Sequence, residues 1–330
     1  MLAAPRHAYL EMEGFGPSLA GALQRPPVDR ALTLLEQCRS LGQVVLTPAD
    51  AEFPALLRSI PDPPPILFAR GNLEVGNAEA VAVVGSREHT RYGAEVAERL
   101  GQVAAEAGLV VVSGMARGLD AAAHRGAVKS GGRSIGVLGT GVDITYPASN
   151  RKLFEEVLRD GLLLSEYPPG TRPEPGSFPR RNRLISGLAR ALVVVEAAEG
   201  SGTLITVGAA LEQGREVLAV PGPITSPTSR GTNRLLRDGA TPLLDPSDML
   251  VALGLRPRAP IEEALVSALC SLSPTEARVC AALNSEGLTV DELAESVGLP
   301  VGELLAALLG LELGGVAQQL PGALYRRRIR

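Results

Sequence analysis

The sequence has no tryptophan, few aromatic residues of any kind and no paired cysteine motif. Aromatic residues make up 3% of the 330 residues, so the core must be built from Ala, Val, Leu and Ile. Cys38, Cys270 and Cys280 are odd in number and have no CxxC spacing, which argues against a disulfide framework and against a zinc site. A reducing compartment fits this usage best.

The chain also lacks an excess of positive charge and a long apolar run. A formal net charge of −4 excludes a uniformly basic, histone-like binder, so any contact with nucleic acid must come from a local cluster of cations. No stretch reaches the roughly 18 apolar residues that a membrane helix needs. Glu11 and Glu13 interrupt any signal-peptide pattern near the N-terminus. We therefore expect a cytoplasmic protein with no membrane contact.

Motifs for catalysis, metals and dinucleotides are missing as well. His7, His89 and His124 are scattered and have no metal-ligand spacing such as HExxH. Ser113 and Ser201 lack a recognisable partnership with His and Asp, and the first glycine loop lacks the GxGxxG spacing of dinucleotide-binding folds. The sequence therefore predicts no catalytic residue, no metal and no cofactor, and we expect His124 to pack its helix rather than act as a general base.

Short apolar runs alternate with helical stretches through the middle of the chain, which is typical of βαβ units. Because these runs are continuously apolar, they are predicted to be strands buried on both faces. The fold class expected is α/β, with a Rossmann-like, mostly parallel sheet as its core. The predicted strands are residues 81–84, 109–112, 135–138, 162–164, 192–195 and 217–220.

We divide the chain into four parts. Residues 1–45 are predicted to form a small helical module of the SAM or helix-hairpin-helix type, and 46–250 an extended Rossmann-like domain. A linker at 251–260 leads to a winged-helix-like domain at 261–330. In the first module, the turn at residues 14–17 fits either a DNA phosphate contact through its amides or a plain helical cap on the next domain.

The C-terminal prediction depends on three helices followed by a hairpin. Helices are expected at 274–283 and 300–313, with another between them that opens at a capping box of Thr289 and Glu292. Hairpin strands at 316–320 and 324–328 flank Pro321-Gly322. The third helix carries no Lys or Arg, so we favour a partner-binding or vestigial role over duplex DNA contact.

Glycine-containing loops follow four of the predicted strands, and the carboxyl ends of parallel strands line one crevice. Glycine lets a phosphate approach the backbone, and helix N-termini and hydroxyl groups supply donors. Each loop alone also suits the turn geometry of any α/β fold, whereas four at one edge indicate an anion site. The candidate residues are Gly85, Ser86, Arg87, Gly114, Arg117, Gly118, Gly200, Ser201, Gly202 and Thr203, with a further loop at 139–141.

A second cluster is Phe178, Arg180, Arg181, Asn182 and Arg183, just before a predicted helix. Arginine pairs with phosphate through two hydrogen bonds or stacks on a base, and Phe also stacks. An individual arginine of the three could instead pair inside the fold with Glu166 or Glu196.

At these residues the sequence resembles the DNA-processing protein A family, also called DprA or Smf. The resemblance spans about residues 50–245 in order and spacing. It is carried by VAVVGSR at 81–87, VSGMARGLD at 112–120, VLGTGVD at 137–143, SEYP at 165–168, FPRRNR at 178–183, SGTLIT at 201–206 and VPG at 220–222.

The resemblance implies a homodimeric bacterial recombination mediator. Such a protein binds and protects single-stranded DNA and helps load the recombinase RecA, notably during natural transformation. It implies a strand-binding pocket that includes Arg87, Arg117 and residues 201–206, with Thr206 as a phosphate donor. It also implies a dimer and RecA surface around Arg234, Leu235 and Leu244.

One alternative stays open, because the fold also resembles the lonely-guy phosphoribohydrolases. Their Gly-Gly-x-Gly-Thr loop is followed by a catalytic Glu, and Ile205 and Thr206 stand at that place in this chain. A hydrolase would therefore lack its acid here.

The binding hypothesis predicts that Arg87→Ala or Arg181→Ala weakens the retardation of oligo-dT in a gel while leaving the fold intact. The hydrolase predicts free base released from a nucleoside monophosphate. A gel-shift series with single-stranded and duplex oligonucleotides, on the full chain and on residues 45–258, separates the two and tests whether binding depends on the C-terminal domain.

Overall fold

The structure is a computed structural model that describes residues 11, 16, 17, 28–255, 272–284, 287–313, 316–320 and 323–327. The chain divides into two compact units, Met1–Pro257 and Arg258–Arg330. Each unit is described by itself.

The first unit is built on a nine-stranded sheet with the order β1-β2-β6-β5-β4-β3-β7-β8-β9. Strand β2 pairs antiparallel with β1 and with β6, and all the other neighbours pair in parallel. The strands are β1 (Val44–Leu46), β2 (Leu67–Gly71), β3 (Ala80–Val84), β4 (Val110–Ser113), β5 (Ser134–Leu138), β6 (Leu162–Ser165), β7 (Ala191–Val194), β8 (Glu216–Ala219) and β9 (Thr241–Pro242).

Helices cover both faces of this sheet, as its continuously apolar strands require. Successive strand residues point to opposite faces, so Val81 and Val83 pack in one layer and Ala82 and Val84 in the other. The helices are α1 (Val28–Ser40), α2 (Ala55–Arg58), α3 (Arg91–Glu106), α4 (Leu119–Lys129), α5 (Arg151–Asp160), α6 (Ser177–Gly187), α7 (Thr203–Glu212), α8 (Arg230–Arg237) and α9 (Asp248–Ala252).

The predicted α/β class and mostly parallel sheet are confirmed, and each of the six predicted strands forms within one residue of its expected ends. Two features lie at the expected borders of the Rossmann-like domain. Strand β1 spans the border placed at 45/46, and its Val44 and Val45 pair with β2. Within the expected linker, Leu253 is buried and Leu255 packs against the core of the first unit. Most of the expected N-terminal module lies outside the described residues.

In the part of the second unit that the structure describes, three helices accompany a small antiparallel sheet of order β10-β12-β11, which confirms the predicted winged helix. Capping boxes open two of its helices, at Ser273 with Glu276 and at Thr289 with Glu292. The turn expected at Pro321-Gly322 lies outside the described residues. The elements are α10 (Pro274–Ala282), β10 (Leu288–Thr289), α11 (Val290–Val297), α12 (Val301–Leu313), β11 (Ala317–Leu320) and β12 (Leu324–Arg327).

His124 is fully buried on α4 and braces this helix against β4 and β5. Its Nδ1 lies 2.6 Å from Ser134 Oγ, and the Ser134 hydroxyl donates to the carbonyl of Val111 at 2.7 Å. The Ser134 oxygen therefore accepts a hydrogen bond from Nδ1–H, and the buried Nε2 has no hydrogen-bond partner among the described residues, which suits a neutral imidazole. Burial, reinforced by the positive charge of Arg181, lowers the pKa of His124 to about 3.

We predict that His124→Asn reduces the pH dependence of the free energy of unfolding. The unfolded side chain takes up a proton near its ordinary pKa of 6.5, whereas the folded one stays neutral down to about pH 3. The unfolded state thus binds more protons in this interval, so stability falls as the pH drops through it. Between pH 7 and pH 5 the parent should lose about 2 kcal/mol more than the variant, at about 1.4 kcal/mol per pH unit below 6.5.

Urea unfolding at the two pH values measures this difference. His89→Asn, at an exposed position, is the matched control and should keep the parental pH dependence. An identical loss of stability in the parent and in His124→Asn would contradict the neutral, buried state.

Candidate functional site

A cleft of about 650 Å³ opens at the carboxyl ends of β3 and β7. Strand β3 lies between β4 and β7, so the chain reverses its direction of travel across the sheet at this point. Open α/β sheets bind ligands at such a switch point. The lining residues come from the loops after β3, β4, β5, β6 and β7 and from the first turns of α6 and α7.

An arginine and two aromatic rings form the mouth of the cleft. The exposed Arg87 guanidinium lies 5.5 Å from the ring centroid of Phe178, within the range of a cation–π contact. The ring centroids of Phe178 and Tyr146 are 5.6 Å apart, and the planes of the two rings are inclined by 33°. Among the described residues Arg87 has no ion-pair partner, so its donors are available to a ligand.

The loop that carries Arg87 is held from two sides. The Ser86 amide donates to the carbonyl of Glu196 at 2.9 Å, and the Leu119 amide donates to the carbonyl of Ser86 at 3.3 Å. Gly118 has a φ of +85°, and a Cβ there would lie 2.5 Å from Ser86 O, so only glycine permits this approach. Buried Glu196 also accepts hydrogen bonds from the amide and the hydroxyl of Thr90 at 2.9 and 2.5 Å.

Helix α7 supplies the opposite wall. Its N-terminus points its positive dipole end at the cleft, and Ser201, Gly202 and Thr203 line the cleft there. The Thr203 amide donates to Ser201 Oγ at 3.2 Å, which orders the loop. Thr206 is buried one turn further along and also lines the cleft, where it offers a neutral hydroxyl.

Arg181 lies at the back of the cleft and is only 4% exposed. Its Nη1 donates to the carbonyl of Gly114 at 2.8 Å and to that of Val137, so the guanidinium joins α6 to the ends of β4 and β5. Burial lowers the pKa of Arg181 to about 10, opposed by the charge of Asp120 and reinforced by that of Arg87. The side chain stays charged at neutral pH, lines the cleft and uses its Nη1 for hydrogen bonds within the fold.

The other arginines of the second cluster have different roles. Arg183 forms a two-bond ion pair with Glu166, at 2.6 and 2.7 Å, and contacts Asp62 at 2.7 Å. This is the internal pairing that the sequence left open. Arg180 is exposed and lines a neighbouring hollow together with Arg183, while Arg117 is exposed beside the cleft.

The structure brings together only part of the expected site. The expected residues that line the cleft are Gly85, Arg87, Phe178, Arg181, Asn182, Ser201, Gly202, Thr203 and Thr206. Those that do not line it are Ser86, Gly114, Arg117, Gly118, Arg180, Arg183 and Gly200. The 139–141 loop also stays outside the cleft, although Gly139 lies against Phe178, where a Cβ would come within 2.9 Å of the ring.

Several lining residues were missed by sequence reasoning. They are Asp120, Tyr146, Ile185 and the wall segment Pro173, Glu174 and Pro175. Asp120 is buried, and its Oδ2 accepts a hydrogen bond from the Gly114 amide at 3.1 Å. Burial raises the pKa of Asp120, against the opposing charge of Arg181. The dense prolines between β6 and α6 were the one sequence signal for this wall.

The expected dimer and RecA surface is only partly exposed. Arg234 is exposed, and it forms ion pairs from Nη1 to Glu199 Oε1 at 3.9 Å and from Nε to Asp238 Oδ2 at 3.5 Å. Leu244 is 77% exposed, whereas Leu235 packs against the core.

The described residues contain neither a candidate metal site nor a single membrane-spanning helix. No group of three or more His, Cys, Asp or Glu side chains there could hold a metal ion. No single described helix is long and apolar enough to cross a bilayer. Helices α11 and α12 meet both criteria only when they are taken together, and the chain bends by 107° between them.

The sequence matches two family profiles. That of DNA recombination-mediator protein A matches residues 44–254, and that of the DprA winged helix domain matches residues 263–323. Similar proteins include Protein Smf of Synechocystis, 35% identical over 96% of this chain and 89% of the relative. Protein Smf of Escherichia coli is 39% identical over 92% of this chain and 82% of the relative.

Two solved structures are similar to a large part of the chain. DNA processing protein A from Streptococcus pneumoniae has a TM-score of 0.66 and 39% identity, covering 72% of this chain and 82% of that one. DNA processing protein A from Helicobacter pylori, solved for its single-stranded DNA binding mode, has a TM-score of 0.58 and 29% identity. That match covers 64% of this chain and 95% of the other.

The neighbours Arg180 and Arg181 give a matched test of the buried guanidinium. We predict that Arg181→Ala lowers the free energy of unfolding by about 3 kcal/mol or more, because it leaves buried carbonyls of Gly114 and Val137 unpaired at about 1–3 kcal/mol each. Arg180→Ala, at an exposed position, should change it by less than about 0.5 kcal/mol. Urea unfolding of both variants measures the difference, and equal stabilities would contradict a structural role for Arg181.

Proposed function

The chain belongs to the DNA recombination-mediator protein A family, and from this premise we propose that it binds single-stranded DNA in the cleft between β3 and β7. Membership supports a DNA-processing role related to recombination. The Helicobacter pylori relative, which binds single-stranded DNA, supports the choice of ligand.

The observation that carries the proposal is the Arg87 guanidinium resting on Phe178 beside Tyr146. A strand that enters the cleft meets a cation for its phosphate and aromatic rings for its bases within one short stretch of surface. Base stacking on aromatic side chains works for every base and needs unpaired, splayed nucleotides. We therefore propose binding without sequence preference and with a preference for single strands over duplex.

The rest of the cleft suits a phosphodiester backbone. The α7 N-terminus, Thr203 and Thr206 provide a dipole and neutral donors on one side, and the buried charge of Arg181 lies behind. Because these groups recognise phosphate rather than base edges, they hold the strand in place and leave its sequence unread.

We propose that the cleft binds without catalysing a reaction. Its acids among the described residues are Asp120 and Glu174. Asp120 is buried beside Arg181 and hydrogen-bonded to the Gly114 amide, so it is placed to hold the loop after β4. Ile205 and Thr206 occupy the place where a phosphoribohydrolase has its acid, and both line the cleft.

We further propose the assembly that the family resemblance implies, a homodimer that protects single strands and loads RecA during DNA uptake. The face near α8 offers exposed Arg234 and Leu244 for such contacts. The winged helix suits a protein partner better than duplex DNA, because α12 has no Lys or Arg and exposes Val301, Leu305 and Leu309.

We predict that Arg87→Ala weakens binding to oligo-dT by on the order of tenfold, since a hydrogen bond to a charged group contributes about 1.5–3 kcal/mol. The slope of log K against log salt should also become shallower by about 0.7, the change for one phosphate contact on a single strand. Fluorescence anisotropy over a salt series measures both quantities.

Arg190→Ala is the matched control, because this arginine lies at the opposite end of β7 and pairs with Glu79 at 2.8 Å. It should bind like the parent. Equal binding by the parent and Arg87→Ala would place the DNA site elsewhere. Release of free base from a nucleoside monophosphate by the parent would overturn the non-catalytic proposal.

A further inference from the structure

A second hollow, of about 400 Å³, lies between α4 and α5 and is separate from the one that Arg180 lines. Four cations line it, Arg125 and Lys129 from α4 and Lys152 and Arg159 from α5, with a single acid, Glu156. This excess of positive charge contrasts with the net charge of −4 of the whole chain.

Not all of this charge is already paired. Lys129 lies 2.6 Å from Glu98, and Lys152 lies 3.6 Å from Glu156. Arg125 and Arg159 have no ion-pair partner among the described residues. Their guanidiniums are available to an anion, and each presents the fork of donors that suits phosphate.

A hydrogen bond links a residue that lines the hollow to one that lines the cleft. Asn150 lines the hollow, and its Nδ2 donates to the carbonyls of Met115 and Ala116 at 3.0 and 3.2 Å. Ala116 lines the cleft, and exposed Arg117 follows it. Exposed Arg117 and the start of α5 therefore both adjoin Ala116 at the edge of the cleft.

Helix-end electrostatics explain part of the charge but not its concentration. Lys129 and Arg159 are in the last turns of their helices, where cations stabilise the negative end of the dipole. Arg125 is in the middle of α4, and Lys152 is in the first turn of α5, where a cation is unfavourable. A polyanion lying between the two helices accounts for all four positions.

We propose that the hollow between α4 and α5 is a second DNA-binding subsite, which holds the backbone of the same single strand as it leaves the cleft. This inference rests on the proposed function of the cleft. It extends the contact to a strand longer than the cleft can hold and adds phosphate contacts from Arg125 and Arg159, without aromatic stacking.

The test compares short and long oligo-dT, of about 5 and about 20 nucleotides, within the range of site sizes of single-strand binders. The full-length chain is assayed by fluorescence anisotropy as parent, as Arg125→Gln/Arg159→Gln, and as the matched control Arg99→Gln/Arg190→Gln. The control removes the same charge from two exposed arginines that line neither the cleft nor the hollow. Circular dichroism checks that each variant is folded.

Arg125→Gln/Arg159→Gln should bind the short oligonucleotide like the parent. With the long oligonucleotide, the slope of log K against log salt for this variant should be shallower than that of the parent by about 1.4, the change expected for two phosphate contacts. Over a fourfold range of salt, this is about a sevenfold difference in affinity.

An unchanged slope with the long oligonucleotide would overturn the subsite. So would an equal loss with both lengths, or an equal loss in the control, because either would reflect overall charge alone. Failure of the parent to bind the short oligonucleotide, or binding of it that does not depend on Arg87, would instead overturn the proposed function of the cleft.

Discussion

The hydrogen bonds of the buried Arg181 guanidinium to the carbonyls of Gly114 and Val137 hold the candidate site together. They attach α6 to the ends of two central strands. Because α6 is fixed there, Phe178 lies at the cleft mouth, and Arg87 can rest on its ring. Removing the guanidinium would leave polar groups unpaired in the interior, so the loops after β4 and β5 depend on it as much as the helix does.

The fold could be predicted from the sequence because its signals are local and repeated. Continuous runs such as 192–195 can be satisfied only by burial on both faces, which requires a parallel sheet with helices on each side. The edge strands were harder. Strand β1 has a partly exposed Val44 and only three residues, so neither its length nor its pattern distinguishes it from a loop. Its place depends on pairing with β2, more than twenty residues away in the sequence.

The site was predicted less fully, because arginines that are adjacent in the sequence lie in different environments, one exposed and one buried. Successive residues of a helix point about 100° apart, so Arg180 and Arg181 cannot face the same side. Arg180 and Arg183, three residues apart, do share a face and line the same hollow, the one next to Glu166. Helical spacing alone could have separated Arg181 from the other two. The partners of Arg183, Glu166 and Asp62, come from distant parts of the chain, and no local pattern identifies them.

The distinction between buried and exposed arginines also decides how the cleft responds to salt. Mobile ions screen the exposed Arg87 and Arg159 and, to a smaller extent, the half-buried Arg125, but they cannot surround Arg181. Arg181 contributes a positive potential behind the cleft that added salt reduces only weakly, while the exposed cations release counterions when they meet phosphate. The salt dependence of binding therefore counts only the exposed contacts. A net charge of −4 is compatible with the proposed binding of a polyanion, because cations are concentrated in the cleft and the hollow.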